Sequence, residues 1–196
     1  MKLVSSIVAI MIGALLVPSP ARADGFIAPT IGVNFGGSTG TKPIDAAQDS
    51  SNLSVGIAGG YMFSGIIGLE EDFSYNPSFF GHGGGIDSSR VATLMTNVIV
   101  GIPIGGQSGA GIRPYASAGL GLINQKVDTS LTNFNFSSND LGYDLGVGVM
   151  GYFATHIGVR GGVNYFRSFD RTDGVLDFQP GHLNFFRGSF GVLVRF

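Results

Sequence analysis

Three stretches of this chain spell familiar chemistry. Gly36-Gly37-Ser38-Thr39-Gly40 matches the G-x-S-x-G of a serine nucleophile, and His82-Gly83-Gly84-Gly85 matches an HGGG oxyanion loop. That chemistry needs the serine on a strand-to-helix elbow, with the oxyanion loop earlier in the chain. Here the order is reversed and no helical pattern follows Ser38. Gly146-Val147-Gly148-Val149-Met150-Gly151 spells G-x-G-x-x-G, but a phosphate site needs a helix N-terminus after the glycines. The pattern runs on as a strand instead. Asp170, Asp173, Asp177 and His182 gather in one segment, and Asp45 and Asp49 in another. Calcium takes six or more oxygens, and neither spacing matches a calcium loop. No catalytic, cofactor or metal site is therefore expected. What remains is a set of charges set among small and apolar residues: Glu70, Asp72, Arg113, Asp144, Arg160, Arg187 and Arg195.

The elements that carry these charges alternate with period two. Phe186, Phe190, Val192, Val194 and Phe196 share one face, and Arg187, Ser189, Gly191 and Arg195 the other. Leu141, Tyr143, Leu145, Val147, Val149 and Phe153 oppose Gly142, Asp144, Gly146, Gly148 and Met150. Similar stretches predict eight strands, at 26–37, 51–63, 66–77, 89–103, 112–125, 139–153, 157–169 and 182–196. Long connections at 38–50, 78–88, 126–138 and 170–181 alternate with shorter ones at 64–65, 104–111 and 154–156.

Period two does not say which face is wet, and a lipocalin-like barrel would turn its apolar rows inward. Three features favour the opposite orientation. The strands are long enough to cross a bilayer at a tilt. Their ends are rich in Phe and Tyr, as an interfacial girdle requires. The other face is small and weakly charged, whereas a soluble exterior would carry many lysines. Only Lys42 and Lys126 follow residue 23. Backbone polar groups in a bilayer must be bonded internally, so the sheet has to close. The fold expected is an all-β, eight-stranded antiparallel transmembrane barrel with short turns at one end and longer loops at the other.

Composition agrees. Of 196 residues 33 are Gly, there is no Cys or Trp, and charged residues make up 12%. Disulfide scaffolds, Cys-ligated metals and coiled coils are excluded. A net charge of -2 gives no reason to expect nucleic acid. Residues 1–23 read as a signal peptide: Lys2, an apolar run from Leu3 to Val17, and Ala21-Arg22-Ala23 as the cleavage site. Residues 24–196 are then the barrel domain.

In such a barrel the seven charges point into the lumen. An interior just wide enough for side chains forces them to pair, Glu70 and Asp72 facing arginines of neighbouring strands. By parity Glu71 falls on the lipid face beside Leu69 and Phe73, which implies an interfacial position or a local bulge. Some barrels modify lipids with a His/Ser pair, but none of His82, His156 and His182 sits at a lipid-facing position beside a Ser. Phe79, Phe80, Phe134 and Phe136 are expected near the outer rim.

Arg113-Pro114-Tyr115 with Ala118-Gly119-Leu120-Gly121, then Leu141 to Gly148, Gly158-Val159-Arg160 and Tyr165-Phe166-Arg167, carry a resemblance. The chain from 24 to 196 resembles the bacterial outer-membrane β-barrel domain family, the small OmpA/OmpX-like and opacity-type surface proteins. Its end, with Phe190, Val192, Val194 and Phe196, is similar to the C-terminal signal read by the barrel assembly machinery. The resemblance implies an outer-membrane location among lipids and lipopolysaccharide, a monomer, no cofactor, and both termini in the periplasm. It further implies a non-enzymatic structural and surface-display role. An adhesin or immune-evasion antigen binding a host ligand through its loops, a narrow channel, and a lipid-active enzyme are the alternatives.

Overall fold

The computed structural model describes residues 23–38, 52–77, 86–105, 109–129, 135–169 and 184–196. Residues 1–22 of the expected signal peptide, the HGGG motif, the clustered loop acids, and Phe79, Phe80 and Phe134 lie outside them. The strands are β1 (Ala23–Ser38), β2 (Asn52–Phe63), β3 (Ile67–Asn76), β4 (Ile86–Gly101), β5 (Ile104–Gly105), β6 (Gly111–Thr129), β7 (Asn135–Tyr152), β8 (Ile157–Ser168) and β9 (Asn184–Arg195). Two-residue β5 pairs only with Ile112 and Gly111 at the start of β6. The other eight run antiparallel in the order β4-β3-β2-β1-β9-β8-β7-β6, and β4 pairs with β6 to close the ring. This is the expected eight-stranded barrel, with β1 against β9 as its seam.

Period two decides the faces. Leu141, Leu145, Val147, Val149, Phe190, Val192, Val194 and Phe196 are exposed on the outer surface, whereas Asp144, Met150, Arg187, Leu193 and Arg195 are buried in the lumen. Outward aromatics form a row near the loop end. Phe35 stacks on Phe186, which meets Tyr165, and Tyr143 touches both Tyr165 and Phe169. At the turn end Tyr61 meets Phe196 edge-on. Phe186 and Phe196 lie ten residues apart on one strand. At about 3.4 Å per residue and a tilt near 40° that separation is about 26 Å, the height of an apolar membrane band.

Local chemistry sets the turns. Ser64 and Gly65 have φ of 51° and 72°, and Ile66 N–H donates to the Phe63 carbonyl at 3.1 Å. Two successive positive φ values make the primed turn whose twist suits a hairpin. The ends of the ring meet through Gly25 N–H to the Phe196 carbonyl at 3.0 Å and Phe196 N–H to the Gly25 carbonyl at 2.9 Å.

One expectation needs correction, and one of two alternatives falls away. The segment 126–138 is largely ladder: β6 and β7 remain paired out to Asp128 and Asn135. Its polar residues read as a loop, but cross-strand backbone pairing includes Lys126 with Ser137, Val127 with Phe136 and Asp128 with Asn135. Nor is there a bulge at Glu71. The β2–β3 register runs unbroken from Phe63–Ile67 to Val55–Tyr75, and β3–β4 is continuous as well. Glu71 therefore lies half-buried on the outer face, and the Thr96 hydroxyl donates to its Oε2 at 3.2 Å.

Glycines make room inside. A Cβ at Gly148 would stand 2.6 Å from the Tyr115 ring, and one at its partner Gly162 would stand 2.8 Å from the Tyr115 hydroxyl. Gly148→Val is expected to lower unfolding stability by about 1–3 kcal/mol through overpacking. Gly151→Val, whose Cβ would first meet Val159 at 3.7 Å, is expected to be tolerated. Urea titration in micelles followed by circular dichroism distinguishes the two. Glu71→Leu removes a carboxylate from the lipid face and should raise stability in bilayers by about 1–2 kcal/mol, read by the same titration in vesicles.

Candidate functional site

The lumen is packed in layers. At the turn end Arg113 donates to the Tyr152 hydroxyl at 3.2 Å and to Asp24 at 3.3 Å. Arg195 donates its Nε–H to the Thr155 carbonyl at 2.7 Å and lies over the Tyr152 ring, 4.6 Å from its centroid. Above this, Phe26, Ala28, Met62, Ile99, Met150 and Leu193 fill the bore with at most 2% of their surface exposed. The sequence pattern predicts a small, weakly charged face here. Parity assigns a residue to a face, but it does not forbid apolar side chains where the lumen has no charge to solvate.

Ion pairs cross the bore above the apolar layer. Both guanidinium nitrogens of Arg160 donate to Glu70, and one also donates to the Tyr115 hydroxyl at 2.9 Å. Arg187 donates to Asp72, Ser74 and Thr93. Ser74 and Thr93 are joined at 2.8 Å. Glu70 and Asp72 stand on β3, whose neighbours are β2 and β4, whereas Arg160 is on β8 and Arg187 on β9. The partners thus face one another across the lumen, which corrects the expectation that they sit on adjacent strands. Rings cap the cations: Arg160 lies 5.2 Å from the Tyr115 centroid and Arg187 4.4 Å from that of Phe166. Phe166 stacks on Phe185 at 4.9 Å and 12°.

All seven sequence-selected charges point inward, but they do not form one network. Glu70, Asp72, Arg160 and Arg187 make the central pairs, and Arg113 and Arg195 belong to the turn end. Asp144 makes no salt bridge among the described residues; the Asn164 amide donates to its Oδ2 at 2.7 Å. Tyr115, Tyr152 and Phe166 share the parity of the lumen charges on their strands, Arg113, Asp144 and Arg160, whereas Asp24 and Phe26 lie on β1, which carries no such charge to mark its inner face. Phe190, Val192, Val194 and Phe196 face outward along β9. Gly146 to Gly151 continues β7, as expected. Among the described residues no group of three or more His, Cys, Asp or Glu is arranged to hold a metal ion.

A closed antiparallel ring, apolar outside and packed with paired charges inside, defines a membrane-spanning β-barrel. The outer membrane protein beta-barrel domain family matches residues 7–196, and the chain belongs to that family. No curated protein matches the sequence. Among solved structures it is similar to Neisserial surface protein A (NspA), with 16% identity, 89% of this chain and 99% of that one covered, and a TM-score of 0.62. The N-terminal β-barrel domain of Pseudomonas aeruginosa OprF is similar at 15% identity, covering 89% and 98%, with a TM-score of 0.53. OprG from Pseudomonas aeruginosa is similar at 13% identity, covering 90% and 97%, with a TM-score of 0.57. Such identities speak for the fold alone.

Removing one member of a buried pair strands the other's charge, at about 3–5 kcal/mol. Glu70→Ala is expected to destabilise the barrel by that amount, since Arg160 is only 5% exposed. The double replacement Glu70→Gln with Arg160→Met is expected to recover most of the loss in urea titration.

Proposed function

We propose that this protein is a non-enzymatic barrel of the bacterial outer membrane, sealed through its lumen, that contributes membrane integrity and displays its long loops at the cell surface. The observation that carries this reading is the pair of crossings Glu70–Arg160 and Asp72–Arg187, stacked between an apolar layer and the Phe166–Phe185 pair. A bore filled in this way serves as a wall. Extension of the ladder at the loop end supports display. β4 continues beyond the last β3 partner, Val91, to Ile86, while β6 and β7 stay paired beside it. Five further residues at about 3.4 Å each raise that side by about 13 Å for a tilt near 40°. In the same reading residues 1–23 are a removed export signal, the short turns face the periplasm, and the outward β9 residues engage the assembly machinery.

Two measurements test it. In planar bilayers the purified protein is expected to give no stable conductance steps, and Glu70→Ala with Asp72→Ala is expected to produce them; steady steps from the native protein would overturn the sealed lumen. The chain has no cysteine, so single introduced thiols report topology. Asp49→Cys is expected to react with an impermeant maleimide on intact cells, and Ala154→Cys only after permeabilisation. The reverse pattern would overturn the orientation.

A further inference from the structure

We propose that the lumen binds a small monovalent cation at Asp144, beside the ion pairs that seal it. The argument begins with charge. At mid-height the lumen holds three carboxylates, Glu70, Asp72 and Asp144, against two guanidiniums. Glu70 takes Arg160, and Asp72 takes Arg187, whose remaining donation goes to Ser74 and Thr93. Asp144 is the carboxylate left over. It is 1% exposed, and its Oδ1 has no hydrogen-bond partner among the described residues.

Geometry brings a second unsatisfied group to the same place. Asn97 is also 1% exposed, and neither its Oδ1 nor its Nδ2 has a partner among the described residues. In register Asn97 pairs with Gly119, and Gly119 pairs with Asp144. All three lie on the lumen face, and the middle one has no side chain. A Cβ at Gly119 would collide with the Asn97 amide oxygen, so that oxygen lies over the glycine. One row away, a Cβ at Gly146 would stand 2.6 Å from the Ser117 hydroxyl and 2.5 Å from the Asn164 amide nitrogen that holds Asp144 Oδ2. The two glycines thus make room for these side chains, and a carboxylate, an amide oxygen and a hydroxyl come to adjoining positions on the lumen face.

The donor set selects the ligand class. Every free acceptor is a hard oxygen, which suits an alkali or alkaline-earth cation and no soft metal. A single formal negative charge with neutral oxygens balances one positive charge. Divalent calcium is held through more oxygens and more carboxylates than this patch offers. The guanidinium that acts on Asp144 is Arg187, already bonded to Asp72; a buried carboxylate short of counter-charge is disfavoured, and a sodium or potassium ion supplies the balance. The site does not depend on the surface-display reading, since the burial of Asp144 is a property of the fold.

The test uses the full barrel purified in micelles. Thermal unfolding is measured in sodium, potassium, rubidium and N-methylglucamine chlorides at equal ionic strength. Native protein is expected to lose about 3–6 °C in N-methylglucamine, the shift that withdrawal of a ligand at several times its Kd produces. Asp144→Asn is expected to melt at one temperature in all four salts, and Asn97→Ala to show a reduced dependence. Identical melting of the native protein in every salt would overturn the proposal in favour of a protonated or hydrated carboxyl. So would an Asp144→Asn variant that kept the native dependence. Thallium(I) soaked into crystals of the native protein gives a check that needs no variant. An anomalous peak within coordination distance of Asp144 Oδ1 is expected, and its absence there would overturn the site.

Discussion

A backbone amide or carbonyl left unpaired in hydrocarbon costs several kcal/mol, and a sheet avoids that penalty along its whole length only by having no edge. In this chain the requirement falls on the seam between β1 and β9, and at the turn end it is met by reciprocal hydrogen bonds between Gly25 and Phe196. Because the seam joins the first strand to the last, the sheet keeps two unpaired edges until the final strand arrives. The other features of the molecule follow from closing eight tilted strands into a narrow cylinder.

Closure confines the interior. Eight strands leave a bore about as wide as two facing side chains, so every inward residue must be small, packed or paired. The chain uses all three solutions, in layers. Gly148 and Gly162 yield space to the Tyr115 ring, Phe26, Met62 and Leu193 pack against one another, and Glu70 and Asp72 reach across to Arg160 and Arg187. These ion pairs gain from low dielectric and from rings laid over the cations. The same low dielectric makes any unmatched charge expensive, which is why the leftover Asp144 carries more meaning than the paired residues.

Much of this was legible in the residues. Alternation in Leu141 to Phe153 and Phe186 to Phe196 separated the lipid face from the lumen face, and each of the seven selected charges turned out to lie inside. Parity also placed Glu71 on the outer face, where it stands without a bulge. Three things escaped. Polar residues between 126 and 138 concealed a continuing ladder. Inward apolar residues such as Met62, Ile99 and Leu193 carry no mark in the sequence, because parity assigns a face without fixing the chemistry that fills it. Asp24 adjoins the expected cleavage site, and nothing along the chain marks it as the partner of Arg113, 89 residues away.

The linear order of residues determined the strand count, the face each side chain occupies and the need for closure, because all three follow from period two and from the chemistry of hydrocarbon. Which acid meets which base was decided only in three dimensions. Partners on β3, β8 and β9 are brought together by the curvature of the ring and by the register of each ladder, and both are properties of the assembled sheet that no stretch of sequence carries by itself.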